Sequence, residues 1–205
     1  MNGSEWLCLW YLRLNGYFTL PNFIAHGGLT EVDVLAVRFP YSSEGFQDDA
    51  RLEITGGHPE KDIVLAEAKR SHIDKLNRSW NSPEMGALNY ALRRVGIVPE
   101  GEVDGLAREL YEKRNARVGG ISVRIFCFGQ SISKDLLAKG VKFISWREVF
   151  EFINQRFREN EKIKADHDAW DDFGKYLWQE LSANIPGADA FFAGWERRDR
   201  VPPNA

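Results

Sequence analysis

Three residues in two apolar segments carry the strongest chemical signal in this chain. Asp33 lies in TEVDVLAVRF (residues 30–39), and Glu67 and Lys69 end DIVLAEAK (residues 62–69). Both segments read as β-strands, whose side chains alternate between faces with period two. Glu67 and Lys69 therefore share one face of their strand, and Asp33 shares a face of its own with Glu31. Where those faces coincide, two carboxylates and an ammonium converge. Such a pair of carboxylates is a hard, oxygen-rich site suited to Mg²⁺, which takes a few carboxylate ligands and keeps water and phosphate oxygens in the rest of its shell. Mn²⁺ suits the same donors. The main-chain carbonyl of Ala68 offers another oxygen. A lysine beside the site orients or deprotonates an attacking water and stabilises charge on a phosphate. That chemistry is phosphodiester hydrolysis. The alternative account is a structural salt bridge at a strand end, Lys69 with Asp33 or Glu67.

Further residues cluster after the lysine. Arg70, Lys75 and Arg78 precede Trp80, and Arg93-Arg94 follow on the next helical segment. Together they are able to grip a phosphate backbone, with Trp80 as a stacking platform. Ordinary surface charge around a core tryptophan is the competing account. Ser71 and His72 either touch a phosphate or are exposed loop residues. Other chemistries lack support. The histidines His26, His58, His72 and His167 are dispersed and no Cys-x-x-Cys occurs, which disfavours zinc. No Walker A loop or GxGxxG cradles a nucleotide. Ser131-Ile-Ser-Lys134 lacks the companion motifs of an acylating serine and reads as a helix cap. Asp166, Asp168, Asp171 and Asp172 lack calcium-loop spacing and read as a solvated helix face.

For Asp33, Glu67 and Lys69 to meet, the intervening chain must pair the strands and cover them. Residues 4–14 place Trp6, Leu7, Leu9, Trp10 and Leu14 near helical spacing, with Ser4 as N-cap and Asn15-Gly16 as stop. Residues 17–24 form a first strand, ending at the turn signal His26-Gly27-Gly28, and residues 30–39 a second. Residues 40–61, containing Gly45, Gly56-Gly57 and Pro59, read as an excursion outside the core with a strand near 51–55. Residues 62–69 open as a central strand buried on both faces does. Helices follow at 83–95 and 103–114, a strand at 121–128, a short helix at 133–138 and a strand at 141–145. An amphipathic helix at 146–158 then presents Val149, Phe150, Ile153 and Phe157 on one side. Trp170, Phe173, Leu177, Trp178 and Leu181 mark a packed helix within 161–183. Residues 1–160 thus form one domain, and residues 161–205 a helical extension packed on it.

In that setting, Asp33 within TEVDVLAVR and Glu67 and Lys69 within IVLAEAKRS resemble the D…ExK signature of the PD-(D/E)xK nuclease superfamily, the likeness running from Ser4 to Ser145. The resemblance implies an α/β fold with a restriction-endonuclease-like αβββαβ core, a mixed sheet flanked by helices. It implies Mg²⁺ as cofactor and DNA as substrate, an RNA-directed member being the neighbouring possibility. Asp33, Glu67 and the Ala68 carbonyl would hold the metal, and Lys69 would position the water. In some members a glutamate on the first helix reaches the metal, and Glu5 stands where such a residue would; the alternative for Glu5 is a first-turn carboxylate favoured by the helix dipole. The proline that names the motif is absent before Asp33, and the 40–61 excursion accounts for the long interval to Glu67. A catalytically inactive module of the same fold, binding nucleic acid or a protein partner, is the alternative function.

Composition sets the frame. With 205 residues, 43% apolar and 28% charged, and 13% aromatic content including seven Trp, the chain has the material for one domain with a substantial core. Fibrous and disordered classes are excluded. A net charge of −3 gives no global positive field, which leaves recognition of nucleic acid to local patches. Cys8 and Cys127 each sit in an apolar run and read as buried thiols of a reduced compartment. No secretion leader and no run of about 18 apolar residues is present, so a cytoplasmic protein without a membrane partner is expected. The aromatic C-terminal helix packs on the chain's own core in the simpler account, and forms a homodimer interface in the other.

Overall fold

A computed structural model describes residues 2–26, 30–39, 61–159, 171–182 and 187–191. The Gly27-Gly28 turn, the 40–60 excursion with its expected strand, the stretch holding Asp166, Asp168 and Trp170, and the last ten residues lie outside the described residues.

Helix α1 (Gly3–Leu14) leads into a meander of β1 (Phe18–His26), β2 (Thr30–Arg38) and β3 (Lys61–Ala68), each antiparallel to the last. Short pieces follow: β4 (His72–Ile73), α2 (Arg78–Asn81) and a 3₁₀ turn at Pro83–Met85. Helices α3 (Ala87–Val95) and α4 (Glu100–Lys113) precede β5 (Asn115–Val118) and β6 (Ile121–Gly129). Then come β7 (Ser131–Ile132), α5 (Lys134–Ala138), β8 (Lys142–Ser145), α6 (Trp146–Glu159) and α7 (Asp172–Ser182). The sheet runs β1-β2-β3-β6-β5, with β8 also on β6. β6 is parallel to both β3 and β8 and antiparallel to β5. The chain is therefore an α/β protein with a mixed sheet flanked by helices.

β3 is central because its apolar run lets it be buried on both faces; every residue from Asp62 to Ala68 is inside. Val64, Ala66 and Ala68 face a core layer built with α1, α6 and α7 through Leu9, Leu12, Val149, Ile153, Phe173 and Leu177. Ile63 and Leu65 face the other layer, where Leu88, Leu92, Leu106 and Leu110 of α3 and α4 pack. The buried Asp62 at the start of the strand is satisfied by the Tyr17 hydroxyl and by Arg124, whose Nε donates to Oδ1 at 2.9 Å.

β2 departs from simple alternation. Val32 packs in the α3/α4 layer and Val34 in the α1 layer, although two residues apart should share a face. The break falls at Asp33. Across from it, between the paired Pro21–Val34 and Phe23–Val32, stands Asn22 with φ of 48°, a left-handed conformation that asparagine tolerates better than most residues. The face shared by Asp33 and Glu31 in an ideal strand is thus interrupted.

Several boundaries differ from expectation. Asn2, not Ser4, caps α1: its side chain accepts from the Glu5 amide while Glu5 reaches back to the Asn2 amide, a capping box. The expected 83–95 helix is split, because Gly86 adopts φ of 63° after the 3₁₀ turn and α3 begins again at Ala87. Ser133 caps α5, and Ser131 belongs to β7. Strands β4, β5 and β7 and helix α2 are too short for periodicity to reveal.

The C-terminal extension packs on α1. Phe173 stacks on Trp6 with ring centroids 5.3 Å apart, and Asp171 accepts from Trp10 Nε1 at 3.2 Å and from Arg13 at 2.7 Å. Cys8 and Cys127 are buried free thiols. No helix among the described residues is long and apolar enough to cross a membrane.

Candidate active site at the ends of β2 and β3

The β2–β3 ladder stops at the Val34–Ala66 pair. Two residues further along β3, the Ala68 N–H again points toward β2, where a continuing strand would offer a carbonyl. Instead the Asp33 carboxylate accepts it, Oδ2 lying 2.7 Å from the Ala68 nitrogen. The break in β2 thus turns Asp33 onto the end of β3. On the other edge of β3, the Lys69 amide donates to the Phe128 carbonyl of β6 at 2.8 Å, and the Lys69 carbonyl accepts from Trp146 Nε1 at 3.0 Å. The backbone of the Glu67-Ala68-Lys69 triplet is fixed on both sides.

Glu67 is only 1% exposed, and Lys69 Nζ lies 2.8 Å from its Oε1. A third residue completes the arrangement. Asn77, just ahead of α2, donates its main-chain N–H to Glu67 Oε2 at 3.3 Å and accepts from Lys69 Nζ on its side-chain oxygen at 3.1 Å. Asp33, Glu67 and Lys69 thus stand at adjacent strand ends, Asp33 brought there by the break in β2 and not by the regular alternation that would pair it with Glu31.

Electrostatics follow from this crowding. Burial pushes the Asp33 carboxyl up to about 6; the Ala68 N–H opposes the shift, and the negative charges of Glu5 and Glu67 add to it. Burial alone would lower the Lys69 pKa, but the Glu67 and Asp33 carboxylates outweigh it and hold the ammonium charged. Burial, then Glu67, raises the Cys127 thiol and keeps it protonated. The site is therefore a partly buried acidic cluster at the strand ends, with Lys69 as its cation among the described residues.

Such a cluster suits a divalent ion. Glu67 Oε1 is buried and has an ion-pair partner but no well-directed hydrogen bond, leaving a lone pair for a further positive group. The Glu67 charge raises the cost of ionising Asp33, which a cation relieves. Among the described residues no group of three or more His, Cys, Asp or Glu side chains is gathered as a metal cage. Two carboxylates and a peptide carbonyl fit Mg²⁺, which retains several waters, better than an ion that needs a full protein shell.

The remaining expected residues fall into distinct places. Glu5 has both carboxylate oxygens on Asn2 in the capping box, near enough to Asp33 to raise its pKa. Arg70, Lys75 and Arg78 are exposed along the segment after β3. Trp80 is 0% exposed and among the largest fully buried side chains, so it is part of the α3/α4 core layer and offers no stacking face. The run of polar residues around it conceals that role, because α2 turns Trp80 inward while Arg78 and Asn81 face out. Arg93 pairs with Glu100 at 2.6 Å and Asp104 at 3.1 Å, tying α3 to α4. Arg94 lines a groove of about 470 Å³ beside β1 that includes none of Asp33, Glu67 or Lys69. His72 is held on Ser131 at 2.7 Å and Asp74 at 3.1 Å, and Ser71 is exposed.

Two residues that spacing does not reveal support the site. Asn77 is one. The other is Arg114, 3% exposed in a left-handed conformation at the end of α4, which donates to the Trp80 carbonyl at 2.7 Å and to Asn81 Oδ1 at 3.1 Å. Asn81 in turn donates to the Leu76 carbonyl at 2.9 Å. An asparagine of N-cap type ahead of a short helix is the only local signal for Asn77, and Arg114 carries none.

Comparisons with protein-family models, with curated proteins and with solved structures find no match for this chain.

Proposed function

We propose that this chain is a metal-dependent nuclease with a restriction-endonuclease-like αβββαβ core, acting on DNA. The observation that carries the reading is the seating of Asp33 on the Ala68 N–H beside the Glu67–Lys69 pair. It brings a carboxylate from one strand to a carboxylate and ammonium at the end of the next. The order of elements supports the same core: a helix, a three-stranded antiparallel meander, intervening helices and a strand parallel to the third.

Asp33 and Glu67, with the Ala68 carbonyl, would hold Mg²⁺ or Mn²⁺, which supplies charge neutralisation and Lewis acidity to a phosphodiester. The chain's own groups do the rest. Lys69, its side chain 40% exposed, directs an N–H toward a phosphate oxygen or an attacking water. Asp33 acts as a ligand in its ionised form, so activity rises with pH through about 6. Arg70, Lys75 and Arg78, exposed beyond the lysine, hold the phosphate backbone at the mouth of the site.

The test is cleavage of labelled linear, supercoiled and branched DNA, and of RNA, with Mg²⁺, Mn²⁺ or EDTA, by the natural chain beside Asp33→Ala and Lys69→Ala. Metal-dependent cutting lost in both variants, with unchanged circular dichroism, is the expected result. Binding without cutting, indifferent to both substitutions, identifies a module of this fold without turnover.

A further inference from the structure

We propose that Asn77 is a positioning residue for Lys69, an inference that rests on the nuclease reading above. Its side chain takes one donor of the ammonium beside the Glu67 carboxylate and so fixes where Nζ stands.

Asn77 occupies the N-cap position of α2, where an asparagine ordinarily folds its side chain back on the first-turn amides. Here it makes no cap bond; the helix begins without one. The side chain serves Lys69 instead, accepting from Nζ at 3.1 Å, while the backbone of the same residue donates to Glu67 Oε2 at 3.3 Å. One residue therefore touches both members of the ion pair.

The consequence lies in the three donors of an ammonium. A lysine facing a single buried carboxylate settles where its protons best share the two oxygens. Asn77 blocks that arrangement twice over. Its N–H occupies Oε2, so Nζ meets Oε1 at 2.8 Å, and its Oδ1 draws a second ammonium proton to the side. With Glu67 Oε1 and Asn77 Oδ1 both beside it, the ammonium of the 40% exposed Lys69 side chain keeps donor capacity for a group arriving from solvent. Asn77 is itself held from behind: Asn81 donates to its carbonyl at 3.5 Å and to that of Leu76 at 2.9 Å.

Asn77→Ser separates this role from helix capping. Serine is as good an N-cap residue as asparagine, but its hydroxyl is too short to reach Nζ. The expected result is an unchanged or raised melting temperature with kcat lowered about 10- to 100-fold and KM for DNA within a factor of two, the pattern of a lost supporting contact to a catalytic group. Asn77→Asp keeps an acceptor oxygen in place and is expected to restore kcat to within about fivefold, with the high-pH limb of the rate profile moved upward by the added negative charge. Equal kcat in Asn77→Ser and the natural chain overturns the proposal.

A readout that needs no turnover accompanies these assays: the rate at which an amine-acylating reagent labels Lys69, followed by mass spectrometry with Lys75 as the exposed reference. Labelling of Lys69 that is slow against Lys75 and accelerates in Asn77→Ser supports the contact even if no nucleic acid is cut, in which case the nuclease reading fails and the positioning stands. A Lys69 labelling rate indifferent to Asn77→Ser overturns the positioning, whatever the activity.

Discussion

Asp33 closes the β2–β3 ladder with its side chain, accepting the Ala68 N–H at 2.7 Å where a backbone carbonyl of β2 would otherwise stand. This one bond decides the direction of the carboxylate. It also explains why the chain tolerates a half-buried acid there: the strand end needs an acceptor, and β2 turns at the left-handed Asn22 alongside to supply one. Structure and chemistry are therefore coupled at this residue, and its substitutions read out both.

Replacing Asp33 by asparagine retains an acceptor for Ala68 and removes the charge. The folded carboxyl titrates at about 6 against 3.8 for the ordinary value, so the folded state holds its proton over a range where the unfolded chain has lost it. Stability contributed by this group is full below the ordinary value, declines as pH rises through the interval, and is lowest above 6. The penalty at neutral pH is about 2–3 kcal/mol. Urea unfolding of both proteins from pH 4 to 7.5 checks it: Asp33→Asn is expected to abolish the decline and to give the more stable protein above pH 6. Mg²⁺ should narrow that gap by stabilising the natural chain, and metal-dependent cutting should fall at least about 100-fold in the variant.

Lys69→Met leaves the Glu67 carboxylate buried without its cation. Breaking such a pair from one side costs more than removing both charges. Since the lysine side chain is 40% exposed and solvent screens part of the interaction, the single variant should lose about 1–3 kcal/mol. Adding Glu67→Gln should recover part of that loss, and a double-mutant cycle by chemical denaturation measures the coupling. Purely additive losses would count against the ion pair.

Much of this architecture is legible because its signals are local. The apolar run 63–66 announces a two-sided strand, and period two places Glu67 and Lys69 together. The α1 stop at Asn15-Gly16 is written in residues that adopt the required conformations, Gly16 having φ of 80°. What stays hidden depends on long-range closure. Asn77 reaches Glu67 only because the segment after β3 turns back on itself, and Trp80 is buried because α2 turns it into the α3/α4 layer, its carbonyl held by Arg114, 34 residues on. The break of alternation at Asp33 is similarly invisible, since it arises from pairing with the strand that holds Asn22.

The C-terminal helix offers a packing test. A Cβ at Gly174 would lie 2.2 Å from Cζ2 of Trp10, far inside van der Waals contact, so α7 approaches α1 as closely as a glycine permits. Gly174→Ala should therefore destabilise the fold by about 1–3 kcal/mol despite alanine's better helix propensity. Thermal unfolding followed by tryptophan fluorescence checks this, because Trp10 must move to admit the methyl group. A neutral or stabilising effect would mean that α7 is not seated on Trp10.

Arg114 presents the most informative case, because it is remote from the acidic residues yet bears on them. Its guanidinium is buried, burial lowers its pKa, and it donates to two neutral acceptors, the Trp80 carbonyl and Asn81 Oδ1. The carbonyl end of α2 carries partial negative charge that compensates the cation in part. Arg114→Met keeps the volume and removes the donors, leaving that carbonyl unpaired at a cost of about 1–3 kcal/mol. Because Asn77 immediately precedes α2, loosening the far end of that helix should also loosen the contacts of Asn77 with Lys69 and Glu67. The variant is expected to show reduced stability together with reduced kcat, whereas Arg93→Met, which breaks only the exposed pairs to Glu100 and Asp104, should leave both stability and kcat close to those of the natural chain. Urea unfolding and steady-state cleavage by both variants decide it: loss of kcat in Arg93→Met, or its retention in Arg114→Met, would break the link between the buried guanidinium and the site.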